Sequence, residues 1–148
     1  MTKTAHTLAG LIALVMIAAF WISTVLAELF GGHGVVVLVK TAVPWGFLVL
    51  IPALAVAGAT GMRLASRMRG PVIAAKRGRM PTIAATGLMI LIPAALFLSF
   101  KAQSGQFDLT FYAVQALELL AGASNLYFMG RNVRDGLRLS RRFTVRTV

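Results

Sequence analysis

Cysteine is absent from this 148-residue chain, which excludes disulfides, thiolate metal sites, iron–sulfur ligation and cysteine nucleophiles. Charge is scarce as well: 13% of residues are Asp, Glu, Lys or Arg, and only four are acidic. With no two acids close in sequence, no carboxylate pair for hydrolysis is evident. A serine–histidine–acid triad lacks its elbow motif. The Lys40-Thr41 dipeptide lacks the glycine that precedes lysine in a phosphate loop. No catalytic residue is assigned. What is abundant is apolar: 58% of residues are hydrophobic, and the mean hydropathy is +0.82. A soluble surface of this size needs more polar groups, so a soluble enzyme, a disordered tail and a secreted mini-protein are excluded.

Four apolar runs stand out, at about residues 8–29, 35–59, 83–100 and 109–129. Each is about 18–25 residues long, enough to cross a hydrocarbon core of about 30 Å as a helix. They do not alternate in polarity as barrel strands do. The first run carries signal-like features in Lys3 and Val25-Leu26-Ala27. Its apolar stretch exceeds the usual signal core of about 7–15 residues, so it reads as a first span.

The charge distribution sets an orientation. Lys3, the 61–81 loop (Arg63, Arg67, Arg69, Lys76, Arg77, Arg79) and the tail (Arg131, Arg134, Arg138, Arg141, Arg142, Arg146) hold thirteen of the fifteen basic residues. Only Lys40 and Lys101 fall on the other side. The positive-inside rule then puts both termini in the cytoplasm. The net charge of +11 thus reads as a topology signal and a contact with anionic lipid, through Arg63, Arg67, Arg69, Lys76, Arg77, Arg79, Arg138, Arg141 and Arg142, with no nucleic acid required.

The expected fold is all-α: a four-helix transmembrane bundle, up-down-up-down, forming one membrane domain over residues 1–148. Gly31 to Gly34 predicts a tight turn, and residues 101–108 a second short loop, so two helix hairpins pack together. Small residues repeat at four-residue spacing, Ala5-Ala9-Ala13 and Ala53-Ala57-Gly61. Such stripes let helices approach closely in lipid, within one chain or across a homodimer. Pro44, Pro52 and Pro93 lie inside the second and third spans, each freeing a carbonyl. The tetrapeptide Leu-Ile-Pro-Ala occurs at 50–53 and at 91–94, but the match goes no further and no transporter repeat is inferred.

Glu118 is the most informative residue. It lies about 13 Å from the end of its span, near the bilayer midplane, where an ionisable group is costly and marks a functional candidate. Gln115, Glu118, Gly122, Asn125 and Met129 share one helical face, a polar stripe pointing into the bundle. The stripe reads either as a hydrogen-bonded latch, with Glu118 neutral or bonded to Lys40, or as a proton site. The sequence offers no second midplane acid or histidine for a relay, which weighs toward the latch. Lys40 can meet Glu28 at the outer side or reach inward to Glu118, and a structural ion pair is expected. Trp21, Trp45 and Tyr112 suit interfacial or bundle-lining positions.

His6 and His33 raise the question of haem b. They flank the first span, about 40 Å apart along a helix, so they cannot clamp one haem. Haem would need a methionine as second ligand, or two copies of the chain.

The segments Glu28-Leu29-Phe30-Gly31-Gly32-His33, Arg79-Met80-Pro81 and Arg134-Asp135-Gly136-Leu137-Arg138 together resemble small four-span bacterial inner-membrane proteins. That resemblance implies a fold and a location, but no activity and no residue roles. The leading expectation is a non-enzymatic accessory or assembly component of the inner membrane, working with a membrane-protein partner or a second copy. The alternatives are a b-type haem protein ligated by His6 or His33, and a proton or small-solute pathway centred on Glu118.

Overall fold

A computed structural model describes residues 2–66 and 71–144. The helices are α1 (Thr2–Phe30), α2 (His33–Ser66), α3 (Pro71–Thr86), α4 (Ile92–Gln103) and α5 (Leu109–Thr144). A π turn at Gly87–Leu91 carries α3 into α4 without a break. The described residues therefore form four helical rods and contain no strand. Three stretches, Thr2–Phe30, His33–Ser66 and Gly78–Gln103, are long and apolar enough to cross a membrane.

Every rod is longer than its apolar run. Thr2 to Thr7 and Thr60 to Ser66 contain no proline, so α1 and α2 continue past the hydrophobic stretch, α2 in spite of Gly61. The expected loop over 61–81 is largely helix, with Pro71 opening α3, where a missing amide hydrogen costs nothing. The 101–108 connection shortens because α4 runs to Gln103. At the other end α5 continues the amphipathic pattern of Val133 and Leu137 to Thr144.

The first turn is tighter than a four-residue loop, since His33 already opens α2. Gly31 donates its amide to the Ala27 carbonyl at 2.9 Å. A Cβ on Gly31 would stand 2.6 Å from that carbonyl oxygen and 2.9 Å from the Val35 Cβ. Only glycine fits there. The resulting α1–α2 hairpin buries Ala9, Ala13 and Ala57, members of the small-residue stripes, as close helix approach requires. Pro44 and Pro52 are carried inside α2. The π turn lies immediately before the Pro93 turn, where the proline ring would press on the preceding carbonyl.

Two apolar clusters hold the rods together. One, at the turn end, joins Ala27, Val36, Leu98, Ala102 and Phe111. The other joins Ala13, Ile17, Leu50, Ile83 and Met129. Between these clusters α1, α2 and α5 carry Trp21, Lys40 and Glu118.

Candidate functional site

The inner face of α5 is built by spacing. Gln115, Gly122, Asn125 and Met129 are all buried, and Glu118, three residues after Gln115, turns the same way. Opposite it, Lys40 lies two turns into α2 and is only 2% exposed. Its Nζ donates to Glu118 Oε2 in an ion pair, so of the two partners open to Lys40 the fold selects Glu118. The Glu118 side chain is 14% exposed. The pair joins the second rod to the fourth between the two apolar clusters. Pro44, inside α2, cannot donate to the Lys40 carbonyl, so that backbone oxygen lacks its helical donor.

The surroundings of this pair are polar and incompletely bonded. Glu28 is close enough to Lys40, Glu118 and His33 to interact electrostatically with all three, yet its Oε1 is buried without a hydrogen bond. The same holds for Thr41 Oγ1 and for both amide atoms of Gln115, a residue 4% exposed. Buried polar groups are nearly always bonded to protein or water, and each unmade bond costs about 1–3 kcal/mol. Four such atoms, on three residues, therefore surround one ion pair, and water or a polar ligand would satisfy them.

The next turns of α5 are set by aromatic fit. Trp21 Nε1 donates to the Leu119 carbonyl at 2.9 Å. Gly122 admits the indole, for a Cβ there would lie 2.8 Å from Trp21 Cδ1. Trp21 is thus a bundle-lining group, while Trp45 and Tyr112 are exposed. Asn125 donates from Nδ2 to the Ile83 carbonyl at 3.4 Å, just before the π turn, and its Oδ1 is unpartnered.

Beyond Met129 the polar face continues through Asn132 and Asp135, which sequence reasoning missed. The same three-residue step from Met129 would have reached Asn132. Arg79 donates to Asn132 Oδ1 at 3.1 Å and to Asp135 Oδ2 at 2.9 Å. Expected to face lipid, Arg79 instead turns inward and ties α3 to α5. Of the other basic positions, Arg63 is exposed and lines a cleft of about 390 Å³ with Thr2, Leu64 and Ser66. Arg67 and Arg69 lie outside the described residues, as do the side chains of Lys76, Arg77, Arg138, Arg141 and Arg142.

The histidines sit at opposite ends of α1. His6 Nδ1 is 3.0 Å from the Ala57 carbonyl and 3.2 Å from Thr60 Oγ1. His33 stacks on Phe107, with ring centroids 4.3 Å apart. The fold does not bring them together, so the chain alone offers no bis-histidine haem site. Among the described residues no group of three or more His, Asp or Glu could hold a metal ion.

At the turn end, outside the apolar stretches, Asp108 caps α5. Its Oδ1 accepts from the Phe111 amide at 2.9 Å and from Thr110 Oγ1 at 2.7 Å, and Lys101 pairs with Oδ2. The Lys101 hydrogen bond, then those of Thr110 and Phe111, hold this carboxyl well below the usual range.

Compared with protein families, curated proteins and solved structures, the chain matches none.

Proposed function

We propose that the chain is a four-span protein of the bacterial inner membrane, with both termini cytoplasmic, and that the Lys40–Glu118 pair is the centre of a proton or small-solute pathway. Four spans are supported by the packing of α5 against α1 and the α3–α4 rod with its polar residues turned inward. The asymmetry of the basic residues supports the orientation, which puts the turn end outside.

One observation carries the functional reading: the unpartnered Gln115 amide, Glu28 carboxylate oxygen and Thr41 hydroxyl beside the buried pair. A purely structural latch gains by satisfying every buried polar group. This cluster leaves several open, at a depth where ionisable groups mark proton and ion routes. Glu118 is the central carboxylate, Lys40 its counter-charge, and Gln115 a neutral lining group one turn nearer the outside.

The test is proton entry into liposomes containing the purified protein and a trapped pH-sensitive dye, driven by a potassium diffusion potential. Wild-type vesicles acidify faster than empty ones, and Glu118→Gln reduces the rate at least tenfold while keeping its helix content and monodispersity. Equal rates in wild-type and empty vesicles, or in wild-type and Glu118→Gln, would overturn the reading.

The accessory or assembly component stands as a second reading, supported by the exposed Arg63, Arg131 and Arg134 at the basic end. These suit anionic lipid or an acidic partner. A partner recovered in stoichiometric amount by mild-detergent pull-down, and lost when these arginines become glutamine, supports it. Recovery of this chain alone removes it.

A further inference from the structure

Three ionisable side chains interact beside the turn-end apolar cluster, and their charges do not balance. Glu28 and Glu118 bring two negative charges and Lys40 brings one positive charge. Lys40 bonds to Glu118, so the surplus lies on Glu28, whose Oε1 is buried and unbonded. Of the other groups on the packed elements, His33 on α2 is exposed at the turn. Lys101 at the end of α4 is engaged by Asp108 and Thr110, and Gln115 on α5 is neutral. A half-buried carboxylate with one oxygen enclosed and unbonded, in a cluster with one more negative charge than positive, is relieved by taking up a proton or a cation. A metal cation is disfavoured by the ammonium of Lys40 in the same cluster.

We infer that the Glu28–Lys40–Glu118 cluster holds one exchangeable proton at neutral pH, carried by whichever carboxylate Lys40 does not pair with. In the arrangement seen here that carboxylate is Glu28. The reaction is proton binding alone: a proton from outer-side water adds to a Glu28 carboxylate oxygen, and Lys40 remains an ammonium. The neutral carboxyl gains an O–H donor, and the unpartnered oxygen and amide groups around it supply acceptors such as Gln115 Oε1. His33, beside Glu28 and open at the turn, marks the side from which the proton enters.

The inference rests on reading this cluster as the working site, but not on transport, and its test reads protonation without flux. Infrared spectra of the full-length protein in liposomes report the carbonyl stretch of a protonated carboxylic acid. Wild type shows one such band at neutral pH, lost on raising the pH and unaffected by replacing sodium with choline. Glu28→Gln abolishes it, because the remaining Lys40–Glu118 pair is balanced. Glu118→Gln abolishes it too, because Lys40 then pairs with Glu28. Lys40→Met, if folded, doubles it. Absence of the band in wild type overturns the inference, whether the balancing charge sits on His33 or on a sodium ion. A band unchanged in Glu28→Gln overturns it as well. A band with this pattern and no proton flux leaves the inference standing and removes the pathway.

Discussion

Two ion pairs tie α5 to its neighbours, and they differ in what surrounds them. Near the basic end, Arg79 divides its guanidinium between Asn132 and Asp135, so its charge and directional donors both find partners. Toward the turn end, Lys40 meets Glu118 amid the unpartnered atoms of Glu28, Thr41 and Gln115. Burial does not separate the two, since the side-chain exposures are 15% and 11% for the first pair and 2% and 14% for the second. Satisfaction does. The Arg79 cluster has the form of a latch, and the open polar atoms of the Lys40 cluster are what the proposed function rests on, since a latch gains by satisfying them.

The sharpest break comes from Lys40. Lys40→Ala strands the Glu118 charge without its counter-ion and costs about 3–5 kcal/mol, measured by reversible unfolding in detergent. Replacing both partners, as in Lys40→Met/Glu118→Leu, restores most of that stability, because a buried pair exchanged for apolar groups of similar volume is close to neutral. Arg79→Ala is smaller, about 1–3 kcal/mol, since the freed Asp135 lies nearer the end of the bundle and water reaches it. It leaves proton flux unchanged per folded molecule. If Arg79→Ala lowers flux and Lys40→Met/Glu118→Leu does not, the two roles have been assigned the wrong way round. Gly122→Ala costs about 1–2 kcal/mol by overpacking against Trp21, and Trp21 fluorescence shifts as the indole is displaced from the Leu119 carbonyl.

The smallest effect is at Asp108. Its carboxyl is held low in the folded chain, so the cap it provides is fully present above the unfolded carboxylate value of about 3.9. That contribution fades as pH falls from there toward the folded value. Amide exchange at Phe111 quickens over that acid range in wild type, whereas in Asp108→Ala it is fast throughout and loses this dependence.

Much of this was legible in the sequence, for identifiable reasons. The helical class followed from unbroken apolar length, and the Gly31 turn from a glycine pair between two such runs. The inward face of α5 followed from Gln115, Glu118 and Asn125 recurring at helical spacing. Helix ends were not legible, because the hydrophobic signal stops before the helix does and α2 runs on through Gly61 to Ser66. Arg79 was read as a lipid contact because its partners lie over fifty residues away and only tertiary packing reveals them. The choice of Glu118 over Glu28 as the partner of Lys40 likewise depends on the tertiary placement of α5, which reaches α2 through this side-chain pair and not through close backbone packing. The fit of Trp21 onto Gly122 left no sequence trace beyond a glycine in a helix.

The most direct test of the contrast is proton flux in liposomes for the Lys40→Met/Glu118→Leu protein beside wild type, at matched amounts of folded protein. The account predicts a folded double variant with flux no greater than empty vesicles, while wild type acidifies readily. A double variant that conducts protons as wild type does would show that the buried pair is a latch like Arg79–Asp135, and would contradict the central claim.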